Sequence, residues 1–286
     1  MKLLKFIFIC LLLFPLNIAH ANSEWIWVCS NDYHTHFYSP DNMEFKRGEE
    51  GNVIRVSLWR KTTYNQAGAQ AEFNKYKELS ERSTPSQLAY STQWLELNLQ
   101  RREMRFTTTH FYDTEDRLIC SVENSNLWRE IEPLYFEEDF FCKIRDIYCG
   151  TNDDSMRNSE ERWLPIGYVK KNDNSYITSY IDSMSILKWG YEYHAWKKVS
   201  KYDANKKLLG SVNIKASYDL KEGTITETKI SYWDINEGWV QIQKDISPRY
   251  IKPVPGTIGQ SEFDTLKEYV NTHMDFINRA YKKTSA

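Results

Sequence analysis

An α+β fold in two similar domains, each an antiparallel β-meander sheet packed by a C-terminal amphipathic helix, is what the sequence predicts. Three observations predict it: one set of motifs occurs twice in the same order, strand-like runs alternate with period two, and a helical stripe closes each copy. Asp41-Asn42-Met43-Glu44-Phe45 matches Asp182-Ser183-Met184-Ser185-Ile186, and Trp59-Arg60-Lys61 matches Trp196-Lys197-Lys198. Phe111-Tyr112-Asp113 with Leu118-Ile119 matches Tyr232-Trp233-Asp234 with Trp239-Val240, at a constant offset. Ile131-Glu132-Pro133 matches Ile251-Lys252-Pro253, each ahead of a helix. Chance explains one such pair; four in order point to a duplication.

Residues 1–21 are read as a signal peptide. Lys2 and Lys5 precede an apolar run from Phe6 to Leu16, and Ala19-His20-Ala21 offers small residues for cleavage after Ala21. The run is far short of the ~20 residues of a spanning helix. Phe8 and Ile9 stand before Cys10 where a lipidated cysteine needs small residues, so no lipoprotein is expected. Cleavage removes two lysines and no acid, taking the net charge from −2 to −4.

Residues 22–150 form the first domain. Val53 to Trp59, Gln93 to Leu99, Met104 to Tyr112 and Leu118 to Val122 read as strands, with a turn at Asp113 to Asp116. Leu134, Phe141, Ile144 and Tyr148 make the closing stripe, and Gly150 ends it. A helical insertion around 66–82 belongs to this copy alone: 26 residues separate Tyr64 from Ser91, against eight between Tyr202 and Ser211. Ala69, Phe73, Tyr76 and Leu79 recur there at helical spacing. Such a private segment is either a surface ornament or the seat of a specific function. Residues 151–160 are polar and aperiodic, a linker. Residues 161–286 are the second domain, with a strand at Glu192 to Lys198 and a hairpin loop at Lys221-Glu222-Gly223. Phe263, Leu266, Val270, Met274, Ile277 and Tyr281 line one face of its last helix, which Ser261 and Asp264 are placed to cap.

Composition narrows the function. With 27% charged and 41% hydrophobic residues the chain is globular, and a net charge of −2 supplies no basic field for nucleic acid. The even set Cys29, Cys120, Cys142 and Cys149 in an exported chain is read as two disulfides, all in the first domain. Cys142 and Cys149 on one helix lie ~10 Å apart, beyond disulfide reach. Either each helix cysteine pairs with Cys29 or Cys120, or one strand–strand bridge leaves both helix thiols free. The helix-to-sheet staples are the expected pairing, since each bridge adds ~2–4 kcal/mol to a small exported domain.

The motif order resembles the bacterial surface-adhesin protein E family, most closely through Tyr180 to Ile186, Ser211, Asp219, Tyr232 to Asp234 and Ile251 to Gly259. The resemblance implies an exported envelope domain with an antiparallel sheet and a C-terminal helix, here in two tandem copies. The family's namesake is an adhesin for host matrix and serum proteins and a lipoprotein, whereas no lipidation site is read in this chain. Family domains often carry a cysteine beside the Asp of the fourth motif and another at the helix end. Leu99 and Leu220 stand at the first place and Cys149 fits only the second, so the usual bridge is absent or rerouted.

No phosphate loop, nucleophile elbow or HExxH motif is present. His34 and His36 share a strand face near Asp32 and are the only weak metal candidates; two ligands do not define a site, so a solvated strand edge is expected and no metal or other cofactor. Asp41 and Asp182 precede turns and read as caps rather than catalytic acids. Trp59 and Trp196 read as core, and Arg101, Arg102 and Arg105 with Glu96 and Glu103 as a solvated mixed face. The chain is therefore expected to be an exported, non-catalytic binding protein of the periplasm, the cell surface or the medium. Its expected partner is a protein or envelope macromolecule. The alternatives are a periplasmic enzyme with its site between the domains and a purely structural envelope component.

Overall fold

The computed structural model describes residues 24–49, 51, 53–236, 238–274 and 277. Residues 1–21, read above as a signal peptide, and Tyr281 lie outside the described residues. Among them no helix is long and apolar enough to cross a membrane.

Two seven-stranded antiparallel sheets account for most of the chain. The first runs β1 (Ile26–Ser30), β2 (His34–Arg47), β3 (Val53–Tyr64), β4 (Leu88–Asn98), β5 (Glu103–Asp113) and β6 (Leu118–Glu123) in spatial order, with β7 (Arg129–Glu130) paired to β5. The period-two pattern is realised directly: along β4 every odd-numbered residue from Ser91 to Leu97 is buried and every even one half-buried. The buried set meets α3 (Phe136–Cys149), which brings Phe140, Phe141, Cys142 and Ile144 onto Val56, Leu58, Leu95 and Leu97. Gly150 ends α3 in the left-handed conformation at φ 62°, where glycine carries no Cβ penalty. Leu134, expected in the helical stripe, is outside the helix and half exposed at φ 65°.

The second sheet runs β8 (Trp163–Lys170), β9 (Tyr176–Asp182), β11 (Glu192–Tyr202), β12 (Leu208–Asp219), β13 (Thr224–Asp234) and β14 (Gly238–Ile251), with β10 (Leu187–Trp189) paired to β11. Its helix α5 (Ile258–Thr272) packs beside β8, as α3 packs beside β1. Phe263, Leu266, Val270 and Ile277 fill the core against Ile181, Ala195, Ala216 and Ile225. Thr257, not Ser261, caps α5, its hydroxyl accepting from Gln260 N at 3.3 Å. Ser261 instead donates to the Ile166 carbonyl and fastens the helix to β8.

The insertion forms α1 (Gln66–Lys75) and α2 (Lys77–Ser80), which lie over the far end of the first sheet. Ala69, Phe73 and Leu79 cover Leu88, Phe111 and Cys120 there. Asn65 caps α1 through Gly68 N at 2.8 Å, and its own N–H donates to the Tyr33 carbonyl. A Cβ on Gly68 would strike that carbonyl oxygen, so glycine sets how closely α1 approaches the β1–β2 turn.

Residues 151–160 are folded rather than a free linker. They contain α4 (Asp153–Arg157), whose first N–H groups donate to the Asp146 carboxylate at 2.6 and 2.9 Å, and Arg157 pairs with Asp139. These ties are made by charged side chains, to backbone N–H groups and to each other, and leave no apolar period in the sequence. Beyond them a buried ion network joins the halves. Arg162 donates to Asp182 at 2.7 and 2.9 Å and to Glu138 at 2.6 Å, while Glu138 also pairs with Arg102. Glu132 reaches the other face of the second sheet, accepting from Asn213 at 2.8 Å and Ser231 at 2.7 Å.

Candidate functional site

The helix-facing side of the first sheet changes character along its strands. Val56 and Leu58 on β3 are apolar, and the next residues on the same face are Arg60, Thr62 and Tyr64. Strand register places Gln93 beside Arg60, Ser91 beside Thr62 and His36 beside Thr62. A polar band therefore crosses the sheet between the apolar core under α3 and the apolar cluster under the insertion. Neither covering element closes over it, and a cavity of about 300 Å³ remains. Glu72, Lys75 and Tyr76 of the insertion wall one side, and Tyr135, Phe136 and Glu137 at the start of α3 wall the other.

Arg60 is the floor of this cavity and is only 7% exposed. Its Nη2 donates to Gln93 Oε1, and Gln93 in turn donates to Thr109 at 2.6 Å, which also accepts from Asn124 at 3.0 Å. The guanidinium lies between Phe106 and Phe136, 4.6 and 5.2 Å from the ring centroids. Its Nε and Nη1 are buried without an acceptor, and no carboxylate lies within ion-pair distance of it among the described residues. Of 13 buried side-chain polar atoms without a hydrogen bond among the described residues, five belong to residues lining this cavity: those two, His34 Nε2, His36 Nε2 and Glu137 Oε2, while Asp153 Oδ2 and Glu130 Oε2 elsewhere are held in ion pairs. That concentration marks the place where the fold leaves its polar groups to something outside the chain.

Burial and the Arg60 charge set the ionisation here. Burial, then Arg60 and His34, push His36 down to about 2, so its ring is neutral. Burial, then Arg60 and Lys75, lower His34 as well. Glu137 is pushed up to about 7 by burial, with Arg60 and Arg129 pulling the other way and Glu132 adding to the rise. Its folded pKa thus exceeds its unfolded 4.5. The stability this contributes is complete below pH 4.5 and is lost as pH rises to about 7. Wild type should lose up to about 3 kcal/mol over that window relative to Glu137→Gln. Urea unfolding of both proteins at pH 4.5, 6 and 8 measures this; parallel curves would show that Glu137 ionises as it does in the unfolded chain.

The structure redistributes the residues singled out by sequence. His34 and His36 are not on a solvated edge: His36 is 2% exposed, stacks on Phe136 at 4.7 Å and shares a hydrogen bond with Thr62 at 3.1 Å. No group of three His, Cys, Asp or Glu able to hold a metal occurs among the described residues, and Arg60 repels a cation from this pair. Asp182 does cap a 3-10 turn, accepting from Met184 N at 3.2 Å, and is fully buried on Arg162; its match Asp41 is exposed on β2. Trp196 is 1% exposed, whereas Trp59 is half-buried on the outer face of the first sheet, edge-on to Trp94 at 5.4 Å. Arg105 pairs with Glu96 at 2.7 Å on that outer face, but Arg102 is buried in the inter-sheet network.

All four cysteines are free thiols, and neither expected disulfide is formed in the structure. Cys142 is buried in the core under α3 with Cys29 at its margin, whereas Cys120 sits in the separate cluster under the insertion and Cys149 is exposed. The polar band lies between the two clusters. Burial raises all four thiols, Cys29 to about 11, which favours their protonated form.

A larger cleft, about 1050 Å³, opens between the halves, where the sequence alternative placed an enzyme site. Among its lining residues Arg102 is committed to Glu138, and Asp153 to Arg145 at 3.1 Å. No histidine lines it.

No protein-family model matches the chain, and no curated protein matches it. Among solved structures it is similar to protein E from non-typeable Haemophilus influenzae, at 18% identity over 36% of this chain and 76% of that one, with a TM-score of 0.24. A likeness that slight fixes neither family nor function.

Proposed function

We propose that the chain is an exported, non-catalytic binding protein of the bacterial envelope, and that its two sheets descend from one duplicated domain. Export is supported by the signal-like residues 1–21. Duplication is supported by the ordered motif pairs, by the same antiparallel path in both sheets, and by a final helix packed beside the first strand in each. The observation that carries the binding function is the Arg60 cavity, on which buried polar groups converge. The Thr62 hydroxyl there shares a hydrogen bond with His36 Nδ1 at 3.1 Å, but no group holds the other ring nitrogen of His36, so the pair lacks the orienting partner of a nucleophile–base set. The insertion absent from the second copy walls the cavity.

A macromolecular partner is a second reading, favoured by the outer face of the first sheet. Trp27, Phe37, Trp59, Trp94 and Tyr112 stand exposed or half-exposed there, while Glu130 and Glu132 of the first half cover the equivalent face of the second sheet. Hydrogen–deuterium exchange of the mature chain with the small-molecule fraction of a periplasmic extract tests the first reading. Protection is expected at 66–80 and 124–137, with the bound compound recovered unchanged. Protection only on the outer sheet face favours the second reading, and recovery of an altered compound overturns the non-catalytic claim.

A further inference from the structure

The third strands of the two sheets carry matched cations on their helix-facing sides, and the protein treats them differently. Lys197 on β11 is met by Glu262 at 2.9 and 3.0 Å and by Glu227 at 2.6 Å, all buried. Arg60 on β3 meets two phenyl rings and an amide, with two guanidinium nitrogens unpartnered. A buried cation without a directly paired carboxylate costs several kcal/mol, and Lys197 shows how the neighbouring sheet supplies one. Glu137 and Glu72 act on Arg60 from beyond ion-pair distance, so its unpartnered guanidinium nitrogens are placed to meet an anion.

We propose that the cavity binds a small molecule through its carboxylate, seated on Arg60 between Phe106 and Phe136. The inference rests on the reading of the chain as a binding protein. Three features select the ligand. Lys75 and Arg129 add positive charge at the walls, so an anion is favoured over a neutral molecule. Glu137 and Glu72 line the same space and penalise a second negative charge, so a monocarboxylate is favoured over a phosphate dianion. Phe106, Phe136, Tyr64, Tyr76 and Leu127 offer apolar surface for the ligand's body. About 300 Å³ is the lower end of small-molecule pockets, the scale of a short branched or aromatic acid.

The test is calorimetric titration of the mature chain at pH 7 with benzoate, phenylacetate, isobutyrate and inorganic phosphate. Wild type, Arg60→Gln and Ser125→Trp are compared, their folding checked by circular dichroism. Ser125 lies exposed at the cavity wall, so tryptophan there obstructs entry without touching the core. At least one carboxylate is expected to saturate wild type. Its affinity should fall about tenfold or more in Arg60→Gln, the scale of one charge-assisted hydrogen bond, and by a similar factor in Ser125→Trp. Should Arg60→Gln fail to fold, Ser125→Trp decides. Saturation by phosphate alone, no saturation by any of the acids, or unchanged affinity in a folded variant overturns the proposal. Protection of the cavity by extract, with no acid binding, overturns the ligand class and leaves the binding function standing.

Discussion

Alanine at Arg162 is expected to lower the unfolding free energy by about 3–5 kcal/mol, the cost of breaking a buried ion pair from one side. Arg162 and Asp182 are fully buried, and Asp182 receives both of its ionic hydrogen bonds from Arg162. Glu138 keeps Arg102, but Asp182 is left as a buried carboxylate with only the Met184 N–H. For a chain of this size the thermal midpoint should drop by roughly 10 °C. The loss depends on pH with a definite sign. Burial raises the Glu138 carboxyl, but Arg102 and Arg162 outweigh it and hold the group below its ordinary value. Its contribution is therefore present above the unfolded pKa and disappears as pH falls through the folded one. The gap between wild type and Arg162→Ala should be full at pH 7 and shrink in acid. A loss below about 1 kcal/mol at pH 7 would mean that the network does not clamp the halves.

Methionine at Lys197 is expected to cost a similar amount, about 3–5 kcal/mol by urea unfolding at pH 7. The substitution removes the cation from two carboxylates, Glu262 and Glu227, that are 4% and 5% exposed. Tyr218 still donates to Glu262 at 2.8 Å and Arg249 lies 3.6 Å from Glu227, which is partial compensation for each. A deficit below about 1 kcal/mol would contradict the assignment of the charges.

Strands and helices were legible because their signals are local. Odd and even residues of β4 alternate in burial, and Phe263, Leu266 and Val270 of the α5 stripe face the core as their spacing requires, with Ile277 beyond the helix also buried; Met274, expected in the same stripe, is exposed. The insertion was legible as a segment with an apolar side, and Ala69, Phe73 and Leu79 are buried. What was hidden depends on which elements fold over which. His34 and His36 share a face, as alternation dictates, but only the docking of α1 and α3 around them turns that face into a cavity wall. Arg60 was visible only as part of a repeated Trp-Arg-Lys motif; its lack of a paired carboxylate depends on Gln93, Phe106 and Phe136, which come from two other strands and a helix. A signal did exist in the alternation itself, which places a charge on the face that carries Val56 and Leu58. Arg102 and residues 151–160 read as solvated because charge usually means exposure, a rule that buried ion networks break. Trp59 read as core because tryptophans usually are, yet it is only half-buried on the outer face of the first sheet.

The central claim is that Arg60 is held for a ligand and not for the fold. Urea unfolding of ligand-free Arg60→Met beside Lys197→Met tests it most directly, since the two cations occupy matched places and differ in their partners. If Arg60 lacks its counter-charge in the ligand-free protein, replacing it with an apolar chain should leave stability unchanged within about 1 kcal/mol or raise it, while Lys197→Met loses about 3–5 kcal/mol. A loss in Arg60→Met as large as that in Lys197→Met would show that the guanidinium is already satisfied within the fold, and would contradict the account.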